Sequence, residues 1–240
     1  MTLEIYNGDC ISEMKKIKDK SVDMIATDLP YGTTKNKWDV IIPFEEMWAE
    51  FYRICKDNAN MVFTASQPFT SLLISSNIKN FKYEIIWNKT LGSGQLNINR
   101  QPLKVHESIL VFYKEFGTYN EQKTIGTPYK ITRKLSKYGT TNYNTQDDHE
   151  CINNGERRAK SVITISNPRI KGGHPTQKPV ELMDYIIKTY SNEGDVVLDP
   201  TMGTGTTGVS AIKNKRSFIG IEKDEKYFSV AGERLKNEAL

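Results

Sequence analysis

At 240 residues, with 38% hydrophobic and 26% charged side chains, the chain can form one sizeable globular core with a small insertion. Its formal charge of +4 is too mild to announce a nucleic-acid partner, and its longest apolar stretch, residues 109–113, cannot span a bilayer. The first five residues lack the basic and apolar regions of a secretory signal, and Cys10, Cys55 and Cys151 are widely spaced, so a cytoplasmic protein with reduced thiols, no membrane partner and no metal is expected.

Short apolar runs alternating with helical patterns predict an α/β sheet. The predicted strands cover residues 3–6, 24–27, 61–65, 83–87, 108–113, 195–198 and 218–221; helices are predicted near 11–17, 44–55, 69–76, 180–190, 207–213 and 227–236. Along the second helix, Met47, Trp48, Phe51, Ile54 and Cys55 form one stripe, a core face.

Asp9 follows the first strand and reads equally well as the N-cap of the next helix or as a ligand contact. The second strand stops abruptly at Asp28-Leu29-Pro30-Tyr31, which delivers a carboxylate, a rigid turn and an aromatic ring to one sheet edge. At the C-terminal edge of a parallel sheet such residues face a ligand crevice. The loop over residues 32–39 is expected to close over that crevice, with Trp38 anchoring it in the core. Trp87-Asn88-Lys89 ends a strand on the same edge and receives no role.

Residues 114–172 are poor in aliphatic runs and carry eleven Lys and Arg against six acids, an excess larger than the net charge of the whole chain. Interleaved with Tyr119, Tyr129, Tyr138 and Tyr143, these charges suit phosphate neutralisation and groove contacts, with a solvated loop as the bland alternative. The candidate DNA contacts are Lys130, Arg133, Lys134, Lys137, Arg157, Arg158 and Lys160.

Near the C-terminus, a strand feeds Asp199-Pro200-Thr201-Met202-Gly203-Thr204-Gly205-Thr206-Thr207-Gly208, and a helix follows. Glycines in this spacing let the backbone approach a nucleotide-like ligand, and Glu222, nineteen residues after Gly203, stands where a ribose-binding acid is expected. A dinucleotide would also suit the glycines, but Asp199 places negative charge where a pyrophosphate must approach. A cationic nucleoside cofactor such as S-adenosylmethionine fits better.

Together these stretches resemble the beta-group DNA amino-methyltransferases. Asp28-Leu29-Pro30-Tyr31 resembles the D-P-P-Y catalytic motif. His174-Pro175-Thr176-Gln177-Lys178-Pro179 resembles the cofactor-tail motif, residues 199–207 the D-P-F-x-G-S-G-T-T loop, and Ile219-Gly220-Ile221-Glu222 the ribose strand. The resemblance covers residues 1–113 and 173–240 and departs from the family at Leu29, a proline there, and at Thr201, a phenylalanine.

It implies a circularly permuted Rossmann-like methyltransferase fold. The sheet is mostly parallel and flanked by helices; residues 1–113 form the catalytic half, 173–240 the cofactor half and 114–172 an inserted target-recognition region. The implied activity is sequence-specific methylation of the N6 amine of a flipped adenine in duplex DNA. Cytosine-N4 methylation and a catalytically silent DNA-binding protein are the alternatives. Asp28, Leu29, Pro30 and Tyr31 would be catalytic. Asp9, Thr176, Gln177, Lys178, Asp199, Pro200, Thr201, Gly203, Thr204, Gly205, Thr206 and Glu222 would surround S-adenosylmethionine. Family precedent adds a homodimer and a cognate restriction endonuclease as partners.

Overall fold

The computed structural model describes residues 1–36, 38–133, 149–167 and 177–239. The chain divides into two compact units, Met1–Asn120 with Lys160–Leu240, and Glu121–Ala159.

The larger unit is a single eight-stranded sheet. Its strands are β1 (Leu3–Asn7), β2 (Val22–Asp28), β3 (Cys55–Ala65), β4 (Phe81–Ser93), β5 (Lys104–Phe112), β10 (Val162–Thr164), β11 (Val196–Asp199) and β12 (Ser217–Glu222), in the order β1-β12-β11-β2-β3-β5-β4-β10. All neighbours run parallel except β5, which is antiparallel to both β3 and β4. The N-terminal strand therefore pairs with the C-terminal one, as a permuted Rossmann-like fold requires.

Alternate residues of each strand serve opposite faces. Ile25, Met61, Phe63, Leu110 and Phe112 pack beneath α1 (Cys10–Met14), α2 (Phe44–Ile54) and α3 (Phe69–Ser76). Met24, Ala26, Val62, Ile109 and Val111 pack beneath α4 (Val180–Tyr190), α5 (Thr206–Lys213) and α6 (Glu225–Ala239). The stripe predicted on α2 is buried through Met47, Trp48, Phe51 and Ile54. Strand β4 runs past the predicted 83–87 because its polar end forms a hairpin with β5, pairing Trp87 with Glu107 and Ser93 with Lys104. Such pairing does not require an apolar side chain, so hydropathy alone missed it.

The smaller unit consists of two antiparallel ribbons, β6 (Thr124–Ile125) with β9 (Glu156–Arg157), and β7 (Tyr129–Arg133) with β8 (His149–Asn153). No helix among the described residues is long and apolar enough to cross a membrane.

Candidate active site

Strands β2 and β11 lie side by side in register Met24–Val197 and Ile25–Leu198, so their C-terminal ends bring Asp28 and Asp199 to one edge. Beyond β11 the sheet continues to β12 and β1, and beyond β2 to β3. This is the reversal of strand order at which open α/β sheets bind ligands.

The Asp28 carboxylate is held from several directions. Its Oδ1 accepts hydrogen bonds from the Tyr31 hydroxyl (2.6 Å) and the Thr64 hydroxyl, and the Lys178 ammonium lies 2.9 Å from Oδ2. A carboxylate offers about four acceptor positions, so room for one further donor remains on Oδ2. The Tyr31 ring stacks on Phe69 with centroids 5.1 Å apart. Burial, and next the Asp28 charge, hold the Tyr31 hydroxyl well above the usual phenol range. Leu29 is 3% exposed and joins the core under α2, so the departure from proline is used for packing.

Trp38 does not anchor the following loop: it is 39% exposed. The anchor is its neighbour Asp39, 7% exposed, whose carboxylate accepts from the backbone N–H groups of Gly32 (2.8 Å), Thr33 (2.9 Å) and Thr34 (2.6 Å). Three converging donors satisfy a buried anion better than an indole at a loop tip can bury itself.

A hydroxyl network ties β2 to the glycine loop. Thr27 and Thr207 each donate to Asp199 at 2.6 Å, and the Thr201 N–H adds a bond of 3.1 Å. Thr201 Oγ1 lies 2.9 Å from Thr27 Oγ1 and 3.2 Å from the Asp28 carbonyl oxygen, to which it can donate. A phenylalanine at position 201 would keep the backbone N–H bond but lose both hydroxyl contacts. Pro200, buried, leads from Asp199 into this turn.

The three loop glycines do different work. Gly203, at φ +52°, has no atom within 4 Å of where a Cβ would stand, so its backbone faces open space. Gly205, at φ +77°, caps α5 and lies against Ala231 and Leu235 of α6. A Cβ on Gly208 would stand 2.6 Å from both Leu235 and Phe218, so that glycine permits close helix–strand packing. Glu222 accepts from the N–H of Gly203 (2.9 Å) and of Asp224 (2.8 Å), and burial raises its carboxyl above the ordinary range. Gln177 accepts from the Thr204 hydroxyl at 3.1 Å, while Arg234 bonds the Thr204 carbonyl and the Thr206 hydroxyl. Asp9 caps α1 through the N–H groups of Ile11 and Ser12. Thr176 lies outside the described residues.

The sequence profile of the DNA methylase family matches residues 22–233. The chain belongs to that family.

Among this methylase's relatives, the DNA adenine methyltransferase YhdJ of Escherichia coli K12 is 31% identical, over 96% of this chain and 82% of that protein. The Type II methyltransferase M.HinfI of Haemophilus influenzae is 30% identical, over 97% and 68% respectively. The crystal structure of an M1.HpyAVI–SAM complex superposes with a TM-score of 0.65 at 26% identity, covering 98% of this chain and all of that one. The cytosine-N4-specific PvuII DNA methyltransferase has the same fold, with a TM-score of 0.67 at 14% identity over 100% and 92% of the two chains.

Within the methylase's smaller unit the cations are partly matched by local acids. Lys130 pairs with Glu150 at 2.6 Å, Lys123 with Glu156 at 2.7 Å, and the exposed Arg158 with Glu121 at 2.6 Å. Arg157 bonds Asn153 and the Thr127 carbonyl and lies 4.8 Å from the Tyr129 ring centroid. Lys160 belongs to the larger unit. Lys134 and Lys137 lie outside the described residues, and Arg133 is placed only as the end of β7.

Sequence reasoning missed Thr64, Glu107 and Lys89. Glu107 Oε1 accepts a hydrogen bond from Lys89 Nζ at 3.0 Å, Oε2 is ion-paired with Lys178 Nζ at 3.2 Å, and all three side chains are largely buried. The available signal was position: Lys89 lies two residues past the predicted strand 83–87, and Glu107 directly precedes the predicted strand 108–113.

Proposed function

We propose that the protein transfers a methyl group from S-adenosylmethionine to the N6 amine of an adenine flipped out of duplex DNA, within a specific target sequence. The observation that carries this reading is the abutment of the two loops. The Asp28 carbonyl lies 3.2 Å from the Thr201 hydroxyl, so the catalytic and glycine motifs share one crevice. The adenine-specific name of YhdJ and the Asp at position 28, where cytosine-N4 enzymes of similar type more often carry Ser, support adenine over cytosine.

The residues present suit the cofactor. Gly203 leaves a cradle that a Cβ would fill, and the Glu222 carboxylate, oriented by two backbone N–H groups, would accept ribose hydroxyls. Gln177 and the backbone of 203–205 would hold the amino-acid tail. Asp199 contributes by bracing the loop through Thr27 and Thr207. When bound, S-adenosylmethionine supplies an electrophilic methyl group on a sulfonium.

The exocyclic amine of adenine is a weak nucleophile because its lone pair is delocalised into the ring. Asp28 Oδ2 and the Leu29 carbonyl would accept its two hydrogens and draw the nitrogen towards tetrahedral geometry. Positioning and electrostatics would then provide most of the rate. Extruding the base costs a few kcal/mol. Stacking on the partly exposed Tyr31, backed by Phe69, returns roughly 1–3 kcal/mol of this. The smaller unit, with Lys130, Arg158 and the neighbouring Lys160, would contact DNA phosphates. M.HinfI carries a Type II name, which supports a restriction–modification setting with a cognate endonuclease; a homodimer is the expectation from family resemblance.

Incubation with duplex DNA and the radiolabelled methyl donor, followed by nucleoside chromatography, tests the reading. Label in N6-methyldeoxyadenosine supports it; label in N4-methyldeoxycytidine or in no nucleoside refutes it.

A further inference from the structure

The pattern of His174–Pro179 led to the expectation that Lys178 meets the cofactor, yet its ammonium lies in the catalytic motif. It stands 2.9 Å from Asp28 Oδ2, 3.2 Å from Glu107 Oε2 and 5.5 Å from the Tyr31 ring centroid. Glu107 in turn pairs through Oε1 with Lys89 at 3.0 Å. The four charges alternate along a chain, Lys89, Glu107, Lys178, Asp28, whose side-chain exposures are 8%, 13%, 9% and 29%. Asp28 alone keeps a substantial opening to solvent.

A buried ammonium costs several kcal/mol unless it is paired, and removing one partner of a buried pair leaves an uncompensated charge. Asp28 can balance only one of the two lysines, so Glu107 is what allows both to be buried at this edge. The chain also has a direction. Lys89 comes from β4 and Glu107 from β5, two paired strands of the sheet, and Lys178 links that pair to Asp28. With Tyr31 and Thr64 on Oδ1 and Lys178 on Oδ2, the carboxylate plane is fixed, and the remaining acceptor position lies on Oδ2, away from all three donors.

We propose that Lys178 and Glu107, braced by Lys89, are positioning residues of methyl transfer, which hold the Asp28 carboxylate in the orientation that receives the target amine. The proposal rests on Asp28 being the amine-binding carboxylate described above. The protonation states agree with it. Burial opposes the charge on Lys178, but Asp28, Tyr31 and Glu107 outweigh it and hold the ammonium well above the usual lysine range. Burial likewise opposes the charge on Glu107, and Lys178 and Lys89 outweigh it.

The test uses the full chain with Glu107→Gln, Lys178→Met, Lys178→Arg, the Glu107→Gln/Lys178→Met double variant and, as a reference, Asp28→Asn. Three quantities are read for each: melting temperature, equilibrium Kd for S-adenosylmethionine, and single-turnover methylation at saturating cofactor and DNA. A misplaced reacting group costs roughly 10–100-fold in rate. That loss is expected for Glu107→Gln and Lys178→Met, with the cofactor Kd unchanged and partial rescue in Lys178→Arg. The double variant should be no slower than Lys178→Met, because both residues act through one chain. Wild-type turnover in Glu107→Gln, a multiplicative loss in the double variant, or a Lys178→Met that loses cofactor affinity but keeps its turnover rate would each overturn the proposal. An active Asp28→Asn would remove the catalytic reading itself. An inactive Asp28→Asn beside fully active Glu107→Gln and Lys178→Met would remove only the positioning role. Should Lys178→Met fail to fold, Glu107→Gln and Lys178→Arg carry the same contrast.

Discussion

Replacing Asp199 with asparagine should change how stability depends on pH, in a direction fixed by its surroundings. Burial is the largest influence on this carboxyl and pushes it up to about 6 from an ordinary 3.8, against the downward pull of the Thr207 and Thr27 hydroxyls and the Thr201 N–H. The folded chain therefore holds this proton more tightly than the unfolded chain. The resulting stabilisation is fully present below about pH 4 and is lost as pH rises through about 6. At 1.36 kcal/mol per pKa unit, the loss between about pH 4.5 and pH 8 is about 2 kcal/mol. Asp39 and Glu107, both held below the usual carboxylate range, act in the opposite sense, so the wild-type curve alone mixes the effects. The gap between wild type and Asp199→Asn isolates the one group. Urea denaturation of both proteins without cofactor, at several pH values, should show the variant gaining on wild type by about 2 kcal/mol as pH rises. A gap that stays constant, or that moves the other way, refutes the assignment of Asp199 as a carboxyl strained by burial.

Two glycine substitutions should separate binding from packing. Gly203→Ala meets no atom and costs about 1 kcal/mol of backbone strain at φ +52°, but it should weaken S-adenosylmethionine at least about ten-fold in equilibrium titration. Gly208→Ala drives a methyl against Leu235 and Phe218; it should lower stability by about 1–2 kcal/mol in the same urea assay while folded protein keeps its cofactor affinity. Asp28→Ala should abolish methylation and retain cofactor binding, read by label incorporation beside titration. Alanine at both Arg158 and Lys160 should reduce the slope of log affinity against log salt by about 2; an unchanged slope removes both from the phosphate contacts.

What the sequence made legible was local. An apolar run ending at Asp28, a glycine loop after β11 and an acid at the end of β12 are each written within a few consecutive residues, and the edge they share follows from the parallel alternation of strands and helices. The contacts around Asp28 depended instead on distant pairings. Lys178 lies 150 positions away in a segment whose pattern pointed to the cofactor, and Glu107 and Lys89 reach the site only because β5 runs antiparallel between β3 and β4. Thr201 read only as a departure from the family's phenylalanine, yet its hydroxyl joins the two loops. Asp39 was hidden beside a more conspicuous tryptophan. In the inserted unit composition gave the excess of positive charge, but not the pairing of Lys130 and Arg158 with nearby acids.

The central claim is that the acid of one loop directs a methyl group onto adenine from a cofactor held by the other. Single-molecule sequencing of DNA from cells expressing the wild-type chain or Asp28→Ala tests it most directly. N6-methyladenine in a defined motif with the wild type, and none with the variant, is the predicted result. Modified cytosine, or modification that survives the substitution, would contradict it.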